Sequence, residues 1–149
     1  MPVGVEKSRY QNDRLLRGIQ NMISVLVVDD SKFMAKVLKT VLSDIGFDVV
    51  GLGGDGEEGV QLFKQLSPDI TLLDVTMPNM DGLECLKEIR AHDPAANVVM
   101  LSALKDEEIV RKCLEAGAGA FLEKPIRRHC PEDEQRLVSA VEKLLGYAV

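Results

Sequence analysis

Val25-Leu26-Val27-Val28-Asp29-Asp30-Ser31 is the stretch whose reading decides the fold. Four apolar residues, three of them β-branched, run into two carboxylates, and a helix-capping serine follows. Three further runs repeat the design. Residues 70–73 lead to Asp74, residues 98–101 to Ser102, and residues 119–122 to Lys124, after Glu123. Each run reads as a buried parallel strand, because both faces of such a strand are covered and the apolar residues need not alternate. In an open α/β sheet, ligands bind outside the carboxyl ends of the strands, at the point where strand order reverses. Such a fold would bring three carboxylates, a hydroxyl and an ammonium to one crevice. That group could hold a divalent metal, accept a phosphoryl group and neutralise it.

Outward from these runs the chain alternates strand and helix five times. A strand over 24–29 precedes a helix to about Asp44, capped by Ser31 and ended by Gly46. A second strand is expected over 47–52. Asp55 and Glu58 then form a capping-box variant for a helix through Leu66, and Ser67-Pro68 breaks it. A third strand spans 69–74. The turn-rich stretch 77–82 leads into a helix begun by Asp81 and Glu84. A fourth strand spans 97–101, a helix about 106–116, and a fifth strand 118–123. Pro131 suits the first position of a last helix, which ends near Gly146. Five such units imply an α/β fold, a doubly wound five-stranded parallel sheet with helices on both faces. The flavodoxin-like order 2-1-3-4-5 makes strands 1 and 3 neighbours, so that Asp29, Asp30 and Asp74 meet.

Composition narrows the function classes. The chain has 149 residues, enough for one domain with a sizeable core, and 46% are hydrophobic. The net charge is −6 and no long basic run occurs, so a nucleic-acid module is not expected. No apolar run reaches the roughly 20 residues of a membrane span, and the polar N-terminus lacks a signal-peptide core. The three cysteines, Cys85, Cys113 and Cys130, form no framework, which points to a reducing, cytoplasmic setting. Cys85 and Cys113 fall in helical patterns as core fillers. His92 and His129 are expected in connecting segments, without metal-ligand spacing. Residues 1–22 form a flexible or loosely helical extension with a small basic excess, and residues 23–149 the domain.

The motifs Val27-Val28-Asp29-Asp30-Ser31, Leu73-Asp74-Val75-Thr76-Met77-Pro78, Leu101-Ser102-Ala103 and Phe121-Leu122-Glu123-Lys124-Pro125 occur in one order and spacing. In these motifs the chain resembles the CheY-like receiver domains of two-component response regulators, most closely the stand-alone chemotaxis type. The resemblance covers about Met22 to the C-terminus. It implies a phospho-accepting signalling switch, not an enzyme beyond its own phosphorylation and dephosphorylation. Asp74 would be the phosphoacceptor. Asp30 would ligate Mg²⁺ directly, Asp29 through water, and Asp74 and the Thr76 backbone carbonyl would complete the protein ligands. Ser102 would bind a phosphoryl oxygen, Lys124 would pair with the phosphoryl group, and Pro125 would follow a cis peptide. Ser102 and Phe121 would form the switch. The implied partners are a histidine kinase or phosphotransfer protein and a downstream protein target.

The chemistry suits those roles. Mg²⁺ prefers hard oxygen ligands, a carboxylate can form an acyl phosphate, and phosphoryl transfer needs positioning and charge neutralisation above all. The chain departs from the common pattern at Phe121, which lacks a tyrosine hydroxyl, and in the longer segment 126–135. Thr76 and Leu104 flank the site where such domains vary. Two alternatives are a pseudo-receiver that only binds partners and an aspartyl-nucleophile phosphatase. The latter places a second acid where Thr76 stands. The stretch Gly51-Leu52-Gly53-Gly54-Asp55-Gly56 fits G-x-G-x-x-G, but it follows the second strand rather than the first and leaves Asp29, Asp30, Ser102 and Lys124 unexplained.

Overall fold

A computed structural model describes residues 23–103 and 106–146. The extension 1–22 and Leu104 lie outside the described residues. Among the described residues strand and helix alternate: β1 (Ser24–Val28), α1 (Lys32–Ile45), β2 (Asp48–Gly53), α2 (Gly56–Leu66), β3 (Ile70–Asp74), α3 (Gly82–His92), β4 (Val98–Ser102), α4 (Glu107–Glu115), β5 (Ala120–Glu123) and α5 (Pro131–Leu145). The five strands form one parallel sheet in the order β2-β1-β3-β4-β5. The flavodoxin-like expectation therefore holds, and β1 pairs directly with β3, Val28 opposite Leu73.

Alternate residues of the central strands serve two cores, one on each face. Val25, Val27, Ile70 and Leu72 face one side with Leu38, Leu42, Leu137 and Val141, contributed by α1 and α5. Leu26, Val28, Leu73 and Met100 face the other with Phe63, Leu86, Ile89 and Cys113, contributed by α2, α3 and α4. Burial on both faces explains why these strands read as unbroken apolar runs. Cys85 and Cys113 are fully buried in the second core.

The helix ends follow their side-chain chemistry. Ser31 Oγ accepts from the Met34 amide at 3.2 Å, and Gly46 closes α1 at φ 115°. Asp55 accepts from Glu58 N at 2.8 Å, while the Glu58 carboxylate accepts from Gly54 N at 2.6 Å. Asp81 and Asp106 cap α3 and α4 in the same way, and Pro131 opens α5.

Some boundaries differ from the expectation. Phe47 is a buried core residue ahead of β2, which runs on to Gly53 because Asp29 N donates to the Gly53 carbonyl. β4 closes on Ser102 rather than Leu101, in register with Glu123. β5 begins at Ala120, although Gly119 N already donates to Val98 O at 2.9 Å. His92 is the last residue of α3 rather than part of a connection, and it meets Phe63 edge-on with centroids 6.2 Å apart. His129 does lie in a connection, between β5 and α5. Among the described residues no helix is long and apolar enough to cross a membrane.

Candidate functional site

The carboxyl ends of β1, β3, β4 and β5 deliver the polar residues to one edge of the sheet. Asp29 follows β1, Asp74 ends β3, Ser102 ends β4, and Lys124 follows β5. Asp29, Asp74 and Ser102 are buried, whereas Asp30 is exposed at the rim. Oxygens of Asp29, Asp30 and Asp74 all lie within 4.8 Å of one another. The β1–β3 pairing causes this meeting, since strand order alone makes the ends of these two strands adjacent.

Lys124 closes the other side. Its ammonium donates to Asp29 Oδ2 at 2.8 Å and lies 3.3 Å from Asp74 Oδ1. The second oxygen of Asp29 accepts from Ser31 N at 2.9 Å, so this carboxylate is held at both ends. The Lys124 amide donates to Ser102 O at 2.8 Å, and the Lys124–Pro125 peptide is cis, as the resemblance implied.

Burial pushes the Asp74 carboxyl up to about 6, against the lowering pull of Lys124, and the neighbouring charges of Asp29 and Asp30 add to the rise. Burial acts to lower Lys124, but its hydrogen bond to Asp29 and the charge of Asp74 outweigh this and leave the ammonium more basic than usual. Among the described residues three acids face one ammonium here, so the site has room for further positive charge. Clustered hard oxygen donors are the donor set that Mg²⁺ takes, and they fit it here.

The remaining expected residues take their places around this centre. Thr76 is exposed, two residues beyond Asp74. Phe121 is half-buried on β5, opposite Met100, and packs against the second core. The glycines of the G-x-G-x-x-G stretch serve packing. Gly53 lies against Gly59, and a side chain at Gly56 would collide with the Met80 backbone. Asn79 Nδ2 donates to Asp55 Oδ2 at 3.2 Å, which ties the loop after β3 to the start of α2.

Two features escaped the sequence. A Cβ at Gly82 would run into the Asp74 carbonyl oxygen, so the loop can fold back under the acid only with glycine there. Its amide donates to Val75 O at 2.8 Å. Asp133, within an acidic run, is buried and gathers Arg127 and Arg136. Gly82 could have been suspected from the Asp-Gly turn signal; Asp133 left no signal, since acids in a first helical turn are ordinary.

Comparison with known proteins agrees with this arrangement. The profile of the response regulator receiver domain matches residues 25–142. The chemotaxis protein CheY of Listeria monocytogenes is 39% identical over 122 residues, covering 82% of this chain and 98% of that protein. Among solved structures, the CheX–CheY–BeF3–Mg²⁺ complex of Borrelia burgdorferi has a chain with TM-score 0.75 and 38% identity, covering 83% of this chain and 89% of its own. The response regulator domain of Thermotoga maritima CheB gives a TM-score of 0.73 at 35% identity, with 85% and 98% covered. The strand order, the acids at the β1 and β3 ends and these likenesses lead to one conclusion: the chain belongs to the response regulator receiver domain family.

Proposed function

We propose that Asp74 is the acceptor of this receiver, taking a phosphoryl group from a histidine kinase or a phosphotransfer protein. A carboxylate oxygen of Asp74 attacks phosphorus as the P–N bond of a phosphohistidine breaks. The departing imidazole keeps the electron pair and takes a proton, and an acyl phosphate remains on Asp74. Lys124, already 3.3 Å from Asp74, supplies positive charge to the phosphoryl oxygens. Ser102, buried on the adjacent strand, offers a hydroxyl to one of them. Asp29, Asp30 and Asp74, with the Thr76 carbonyl, would hold Mg²⁺, which neutralises charge on the phosphoryl group when bound. Loss of the phosphoryl group to water breaks the P–O bond and returns the free carboxylate. This self-directed chemistry is the extent of the catalysis.

The observation that carries the reading is the pairing, among the described residues, of three clustered carboxylates with one ammonium, on three strand ends. The output would pass to a downstream protein through the face of α4, β5 and α5. There Leu114 is exposed and Phe121 half-buried. Incubation with acetyl phosphate and Mg²⁺ should add one phosphoryl group to the wild-type mass and none to Asp74→Asn. Asp30→Ala should lose the Mg²⁺-dependent phosphorylation. Labelling of Asp74→Asn to the wild-type level would move the acceptor elsewhere.

A further inference from the structure

We propose that Asp133 is a positioning residue for Lys124, acting through Arg127 and Arg136 on the bend that carries the lysine. Asp133 sits in the first turn of α5 and is only 2% exposed, although its neighbours Glu132 and Glu134 are not buried. Its Oδ2 accepts from both the Arg127 amide and Arg127 Nε at 2.9 Å. Its Oδ1 accepts from Arg136 Nη1 at 3.0 Å and from Arg127 Nη2 at 3.5 Å. The second fork of Arg136 leaves the cluster, and Nη2 donates to the Glu123 carbonyl at 2.5 Å.

Glu123 immediately precedes Lys124, and Arg127 follows three residues after it. Lys124 is therefore bracketed. The carbonyl before it is held by Arg136, the Arg127 amide three residues beyond it by Asp133, and one buried carboxylate anchors both. A lysine head on four methylenes stays 2.8 Å from Asp29 and 3.3 Å from Asp74 only if its backbone stays in place. The sheet contributes one bond, from Lys124 N to Ser102 O. The Asp133 cluster fixes the side of the bend that faces away from the sheet. Burying a carboxylate is costly unless its partners are well aligned, and an apolar residue could have filled the space at less expense. At 136 the planar guanidinium spans two acceptors with separate nitrogens, Nη1 on Asp133 and Nη2 on the Glu123 carbonyl, a rigid fork that a lysine ammonium does not reproduce.

The inference rests on the proposed role of Lys124 opposite Asp74, and its test separates the two. In the full-length ¹⁵N-labelled chain, the Lys124 Nζ signal is identified by its loss in Lys124→Ala. Asp133→Asn and Arg136→Gln should each broaden or abolish that signal while the amide signals of α2 and α3 stay in place. Each should slow phosphorylation by acetyl phosphate about tenfold. In a Lys124→Ala background the same changes should alter the rate less than about twofold, because a residue acting through Lys124 has nothing left to act on. An unaltered Lys124 signal, or equal losses in both backgrounds, overturns the proposal. If Asp133→Asn fails to fold, Arg136→Gln, whose side chain is partly exposed, decides alone. A wild type that accepts no phosphoryl group refutes the reading of Asp74, and the ammonium signal still decides what holds Lys124.

Discussion

Replacing Asp74 should stabilise the metal-free protein, and only above a certain pH. Asp74 is 6% exposed, and its carboxyl is raised from 3.8 to about 6. An acid with a higher pKa in the folded state than in the unfolded state opposes folding when ionised. Below about pH 4 the group is protonated in both states and contributes nothing. Between about pH 4 and 6 the penalty grows, and above that it is complete. Two units of difference correspond to a ceiling of about 3 kcal/mol, and relaxation of the site brings the expected value to about 1–3 kcal/mol. Asp74→Asn keeps the shape and removes the charge, and Lys124 keeps Asp29 as its partner. In EDTA, urea unfolding followed by far-ultraviolet circular dichroism should find the variant more stable by that amount at pH 7.5. At pH 4 the two proteins should be equal. Mg²⁺ should narrow or reverse the gap at pH 7.5, since binding stabilises the protein that holds the ion more tightly. A variant less stable than wild type at pH 7.5 without metal, or a gap independent of pH, would refute the reasoning.

Gly82→Ala should cost about 2–4 kcal/mol in urea unfolding, because its methyl meets the Asp74 carbonyl and Val75 Cα, and the surviving fold should be phosphorylated more slowly. Asp133→Asn should lower stability by about 1–2 kcal/mol at pH 7, discounted because Arg127 and Arg136 are partly exposed and can resolvate. The hydrogen bond from Arg127 holds the Asp133 carboxyl well below its usual range. Its stabilisation is thus present above about pH 4 and fades as pH falls further, so the gap should close in strong acid. Ser102→Ala should still be phosphorylated on Asp74 but transmit less. Equal partner affinity for phosphorylated wild type and phosphorylated Ser102→Ala would remove the hydroxyl from the switch.

Most of the site was readable because strand ends are marked twice, by the stop of an apolar run and by the capping residue that follows. Val28-Asp29-Asp30-Ser31 carries both marks, and there the expected and observed boundaries agree closely. At β5 the marks are weak. The strand is short and only partly buried, and Ala118-Gly119 resembles its interior, so the sequence pattern starts it two residues before Ala120. Phe47 shows a different limit, since an apolar residue beside a strand reads the same whether it pairs or only packs. The Asp133 cluster was invisible for a third reason. Pro131-Glu132-Asp133-Glu134 is an ordinary solvated helix start in one dimension, and only the three-dimensional return of β5 beside α5 buries one of its acids.

The neutralising cation of this site arrives late in the chain. Asp29 and Asp74 come together as soon as β1 and β3 pair, but Lys124 lies fifty residues further on. At common rates of synthesis those residues take roughly 3–10 s to appear. A growing chain whose first and third strands have already paired would hold these acids side by side without the Lys124 ammonium, and a hard cation from the surroundings would offset their charge. The last strand therefore completes the sheet and brings the site its ammonium in the same step. A ribosome-bound chain halted before β5 should take up Mg²⁺ more avidly than the finished protein, so the same three carboxylates would serve first as a folding aid and only afterwards as a signalling site.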